Sequence, residues 1–348
     1  EYKYRIYYES WKNNKMRTGT IISLLILILV SCDDPRINFD KGIIPPVVVN
    51  FGEVNSDYDD YNSDLTVTWA SQEYSLIFSS SRNSRGQDFD FVGYRGDIFF
   101  DLITGDFLMS ARTFDFEVLD AINSNGNEFG PYFTADPNLN PYGSWNNGGT
   151  QRFFYTSDIA GNQDIYCRHY SLDENRNFIS VGDAIPLTSV NTRHNEAYFT
   201  IHKKEDSGNE LAYFCSDRDG TWDIWRVVSE EGKLISESAS AEVSKVTRLS
   251  GEANEKCPFV NGNIMVFASN REGGHGGFDL WYSLYDGQSW SEPINFGDEI
   301  NSEYDEFRPV IVPAEEGFFV NDLMIFSSDR PGGTGGFDLY YVGIKRFK

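Results

Sequence analysis

The side chains best suited to chemistry in this chain are carboxylates, and they recur. An acidic residue stands just ahead of an apolar run five times: Asp60, Glu128, Glu196, Glu255 and Glu306, each preceded by Asp or Asn. Gathered at one place, five carboxylates could bind a cation or a basic peptide. They could instead accept hydrogen bonds from backbone N–H groups, or form charge-assisted pairs with arginines that also recur, Arg82, Arg218, Arg271 and Arg330. A second candidate breaks the repetition. Residues 134–150 form a polar insertion carrying Tyr142 and Trp145 among Asn and Gly. Rings in such a setting can stack on a sugar or anchor a protein partner. Other chemistry is not encoded. His169, His194, His202 and His275 lack metal-ligand spacing, and no Gly-x-Ser-x-Gly elbow occurs. The Gly-Gly-x-Gly-Gly runs at 273–277 and 332–336 lack the Lys-Ser/Thr of a phosphate loop and read as flexible hairpin tips. Cys167, Cys215 and Cys257 form no CxxC pair and suggest neither a disulfide framework nor a zinc site. No metal and no cofactor is expected.

The elements that must hold these groups are legible as repeats. Met324-Ile-Phe-Ser-Ser-Asp-Arg330, continuing to Phe337-Asp338-Leu-Tyr-Tyr341, matches Met265-Val-Phe-Ala-Ser-Asn-Arg271, continuing to Phe278-Asp279-Leu-Trp-Tyr282. Further copies run from Ala212, Phe153 and Leu76. The aspartates that open the second run are Asp97, Asp164, Asp223, Asp279 and Asp338, with Asp90 as the other register of the first. Asp164, Asp223, Asp279 and Asp338 are expected to fix their hairpins by bonding backbone at the turn. Each unit is two apolar runs around a Gly/Asp turn, the signature of a β-hairpin. A short strand precedes each hairpin and an edge-like strand follows. Four strands, repeated five times at about 60 residues, predict an all-β fold: a five-bladed β-propeller of four-stranded blades. The last unit stops after its third strand. Asn50-Phe-Gly-Glu-Val-Asn55-Ser56 matches Asn295-Phe-Gly-Asp-Glu-Ile-Asn301-Ser302, so Val47–Phe51 is expected to supply the missing outer strand and close the ring. The first strands then line the channel, and the five carboxylates sit as a ring at one mouth.

The chain has 348 residues and a formal charge of −24, and a basic leader masks part of the deficit. From Cys32 onward there are 24 basic against 51 acidic residues. Nucleic-acid binding and polybasic attachment to a membrane are therefore not expected. Aromatics are 16% of the chain, enough for a large core. Ile21–Val30 is an apolar run too short to span a bilayer but suited to a signal-peptide core. Leu29-Val30-Ser31-Cys32 resembles the lipobox of bacterial lipoproteins, which implies cleavage before Cys32 and lipidation of its sulfur. Asp33-Asp34-Pro35 resembles the surface-export signal of Bacteroidota lipoproteins. Residues 1–31 read as upstream residues and signal peptide, 32–44 as a lipidated tether, and 45–348 as the propeller.

The Phe-Ser-Ser-Asp-Arg…Gly-Gly-Phe-Asp-Leu-Tyr units resemble the WD-like repeats of TolB-type propellers, in the versions found in Bacteroidota envelope proteins. TolB itself usually has six blades. The resemblance covers residues 45–346. It implies a non-catalytic binding or scaffold module, anchored as an outer-membrane lipoprotein on the cell-surface or periplasmic face, with envelope proteins as partners. The repeat-regular acids argue against a glycosidase, whose active site would normally need irregular, non-repeating acids in the channel. The alternative is a carbohydrate-binding or glycoside-hydrolysing propeller, with a glycan as partner.

Overall fold

The five apolar-aromatic repeats pair into five antiparallel sheets, as the alternation of runs and turns demands. The computed structural model describes residues 37–135, 149–173, 177–203, 209–230, 233–235 and 241–347. The first blade comprises β2 (Asp60–Thr68), β3 (Glu73–Ser80), β4 (Asp90–Phe100) and β5 (Phe107–Thr113). A short helix, α1 (Glu117–Ile122), follows and buries Val118, Leu119 and Ile122. The second blade comprises β6 (Glu128–Ala135), β7 (Gly149–Ser157), β8 (Asp164–Leu172) and β10 (Ile185–Pro186), with β9 (Phe178–Val181) also pairing β8. The third holds β11 (Glu196–Lys203), β12 (Asn209–Ser216), β13 (Asp223–Glu230) and β14 (Glu242–Lys245). The fourth holds β15 (Glu255–Asn261), β16 (Ile264–Ser269), β17 (Asp279–Leu284) and β18 (Ile294–Asn295).

The fifth blade takes β19 (Glu306–Val312), β20 (Asp322–Ser328) and β21 (Asp338–Ile344) from the end of the chain. Its outer strand is β1 (Val49–Asn50), from the start, with Val49 opposite Tyr341 and Asn50 opposite Tyr340. The closure extends beyond the two paired residues. Asn55 bonds both the N–H and the carbonyl of Leu339, and Asn321 does the same to Ile44. Middle strands such as β16 and β20 are buried along their whole length, since neighbouring blades cover both faces.

Every inner strand carries a bulge at the same place. The register slips after the second residue of β2, β6, β11, β15 and β19. The third residue of each takes a left-handed backbone: Asn62, Gly130, Tyr198, Cys257 and Arg308, with φ between 46° and 60°. A bulge bends the strand and re-aims its side chains. Here it recurs at the level where the five strands surround the axis.

Two expectations are corrected. The repeat aspartate of the first blade is Asp90, not Asp97. Asp90 lies opposite Ser80 as Asp164 lies opposite Ser157, whereas Asp97 sits mid-strand opposite Glu73. β4 has 11 residues against nine in β8 and eight in β13, so Asp97 falls within the strand while its start stays in place. The glycine-rich runs are not free tips. A Cβ on Gly276 would meet the Ser302 and Tyr304 carbonyls, and one on Gly335 would meet the Tyr58 carbonyl. Each run packs on the backbone that leads into the next blade.

Candidate functional site

Asp60, Glu128, Glu196, Glu255 and Glu306 each stand at the first position of an inner strand, and none exposes any surface. Their carboxylates are held within the blades. Glu196 accepts from Thr192 N–H and Oγ1, from Ser216 Oγ at 2.7 Å and from Arg218 at 3.0 Å. Asp60, Glu255 and Glu306 repeat the pattern with Arg82, Arg271 and Arg330 at 2.7, 3.0 and 2.8 Å. Burial raises the Glu255 and Glu306 carboxyls, and the arginines work against that rise. Glu128 differs. Its bonds come from Ser124 and Ser157 alone, because Ile159 stands where the other blades have arginine. Burial pushes its carboxyl up to about 7.

The residue ahead of each carboxylate staples adjacent blades. Asn127, Asn195, Asn254, Asp305 and Asp59 accept the N–H of Phe89, Gln163, Trp222, Phe278 and Phe337, at 2.7–3.1 Å. The repeat aspartates serve their hairpins in different ways. Asp338 accepts from Thr334 and Gly335 N–H, while Asp223 pairs with Lys245 at 2.6 Å. Cys32, Tyr142 and Trp145 lie outside the described residues. Among the described residues, no group of three or more His, Cys, Asp or Glu side chains is placed to hold a metal ion.

The mouth itself is formed by residues that the sequence reading passed over. The second position of each inner strand is Tyr61, Phe129, Ala197, Lys256 or Phe307. Between these stand the residues that precede the repeat aspartates: Phe89, Gln163, Trp222, Phe278 and Phe337. They interleave into one arc. Phe129 lies 5.5 Å from Phe89, Phe89 4.9 Å from Tyr61, Tyr61 5.6 Å from Phe337, Phe337 5.8 Å from Phe307 and Phe307 4.7 Å from Phe278. Lys256 continues the arc, its Nζ 5.7 Å from the Phe278 ring and 4.6 Å from that of Trp222. The remaining two places are Gln163 and Ala197, which carry no ring. A cavity of about 520 Å³ opens there, lined on one side by Tyr61, Trp222, Phe307 and Phe337 and on the other by Asn162, Gln163 and Asn195. Lys256, Tyr198, Gly161, Asp158 and Asp305 complete it. Asp158 accepts both bonds offered by Asn127, and Asp305 accepts Phe278 N–H. The signal was present in the sequence: two fixed repeat positions are aromatic in most units.

Arg308 is buried on the inner wall, its guanidinium donating to the Pro258 carbonyl at 3.3 Å and the Pro131 carbonyl at 3.0 Å. Burial raises the Asp64 carboxyl to about 6, against the pull of Arg308. A second cavity, of about 460 Å³, lies between the first two blades. Ile77, Phe133, Tyr170 and Phe178 line it, with Asp64 and with Arg95, whose guanidinium stacks on Phe114 at 3.5 Å.

Comparison with known proteins places this geometry in context. No family model matches the chain. No curated protein matches it either. Solved structures do match in fold. A thermostable family-43 glycoside hydrolase superposes with a TM-score of 0.52 at 12% identity, over 83% of this chain and 90% of the other. A GH62 hydrolase, solved in complex with xylotriose, superposes with a TM-score of 0.50 at 9% identity, over 87% of this chain and 97% of the other. The class defined is a five-bladed propeller of the architecture these hydrolases share, and the likeness is one of fold.

This overturns the TolB-type resemblance. It also removes the Bacteroidota envelope scaffold, non-catalytic by expectation, that the resemblance implied. The reason is physical: the Phe-Ser-Ser-Asp-Arg hairpin encodes a blade and its arginine–carboxylate cap. Those features hold a blade together whatever the ring does.

Proposed function

We propose that this chain is a carbohydrate-active propeller that takes a glycan into the mouth described above. The observation that carries the reading is the two-sided lining of the 520 Å³ cavity. Aromatic rings on one wall offer flat apolar surface to the C–H face of a sugar, while Asn162, Gln163 and Asn195 opposite offer donors and acceptors to hydroxyls. The fold shared with family-43 and GH62 hydrolases supports it. Two carboxylates, Asp158 and Asp305, line the same cavity. Hydrolysis of a glycosidic bond draws on such a pair, one acid protonating the leaving oxygen and the other acting as base or nucleophile.

Binding and turnover on an oligosaccharide panel test this. Trp222→Ala is expected to weaken binding at least about tenfold, or about 1.4 kcal/mol. Asp158→Asn and Asp305→Asn are expected to abolish release of new reducing ends. Binding without turnover on any substrate would leave a sugar-binding module. No binding across the panel would overturn the proposal.

The location read from residues 29–32 is also proposed: export to the outer membrane with a lipid on Cys32. Cys32→Ala should move the protein from membrane to soluble fractions, and continued retention would refute the anchor.

A further inference from the structure

We infer that the glycan recognised at this mouth is acidic, its sugar carrying a carboxylate or a sulfate ester that meets Lys256. This rests on the reading of the mouth as a glycan site. Symmetry points to the residue. Of the five equivalent inner-strand positions, four hold Tyr61, Phe129, Ala197 and Phe307, and only Lys256 is charged. The lysine is not there to satisfy a neighbour. Among the described residues it forms no ion pair, and its Nζ rests over Trp222 and Phe278 while lining the cavity. The acids in the same cavity accept from the Asn127 amide groups and from Phe278 N–H and form no ion pair with Lys256 among the described residues.

Arg308, wholly buried, acts on the buried Asp64 carboxyl, and its Nε finds no partner. Its guanidinium stacks between Tyr198, which lines the cavity, and Phe259. Burial raises the Cys257 thiol to about 11, with Arg308 and Lys256 opposing that rise. In a chain of net charge −24, Lys256 is the one cation among the described residues that line this cavity. A bound anion would give the Lys256 ammonium the charged partner it lacks among the described residues.

The test compares an oligogalacturonide with its methyl ester, and a sulfated galactan oligosaccharide with its desulfated form, by calorimetry. Lys256→Ala copies the third blade, which has Ala197, so the variant is expected to fold with an unchanged melt. An acidic member should bind about tenfold tighter than its neutral partner. The preference should vanish in Lys256→Ala, persist in Lys256→Arg and shrink as salt rises. Preference for the carboxylated or the sulfated pair identifies the anion. Equal binding of neutral and acidic members, or a preference that survives Lys256→Ala, overturns the inference and leaves the glycan reading standing. Binding of none overturns both.

Discussion

Glu128 is the residue where the repeat is incomplete. Four of the five inner-strand carboxylates face an arginine, and Glu128 faces Ile159. Its folded pKa of about 7 lies above the ordinary 4.5, so the folded state binds the extra proton. Stability from this group is therefore greatest below pH 4.5, falls as pH rises through 7, and is lowest above it. Glu128→Gln removes the ionisation but keeps an oxygen for Ser124. It should be neutral near pH 5 and stabilising above pH 7, by about 1–3 kcal/mol. Melts of both proteins from pH 5 to 8 check this, and a pH-independent difference would contradict it. The acidic repeat was plain in the sequence. That four of the five carry their own cation in the blade was open there, since the recurring arginines fit either arrangement.

At the scale of the element, the glycine-rich hairpin loops act as blade-to-blade contacts. Gly335 N–H and Thr334 N–H bond Asp338, and the loop lies against the backbone at Tyr58. Gly335→Val should destabilise by about 1–3 kcal/mol through overpacking against backbone that cannot yield. Gly317 has open space around its Cα, so Gly317→Ala should stay within about 0.5 kcal/mol of the parent. Denaturant unfolding of both distinguishes a packed loop from a free tip. Equal effects would refute the packing. Composition alone suggests flexibility for such a run, because the carbonyls that exclude a Cβ belong to a different blade.

For the whole molecule, ring closure is the central fact. Residues 38–50 provide β1, the parallel bridge of Gly42 to Phe319 and the Asn321–Ile44 bonds. Removing residues 38–50 should leave β21 with a bare edge and weaken the seam between the first and fifth blades. The melting midpoint should fall by at least several degrees, at about 2–4 °C per kcal/mol lost in a domain of this size. A truncated chain melting with the full one would show that the seam carries no stability.

The sequence by itself determined the blades, their number and the strand that closes the ring. Each depends on short-range pattern: apolar runs of strand length, Gly/Asp turns, and one motif, Asn50–Ser56, repeated out of place at the start of the chain. The tertiary structure alone decided which residues face the axis. A bulge at each inner strand and the closing of the ring bring Tyr61, Phe307 and Phe337, far apart in the chain, within 6 Å of a neighbouring ring. The same closure shut the carboxylates away. Burial is a property of the assembled ring, and no single repeat contains it.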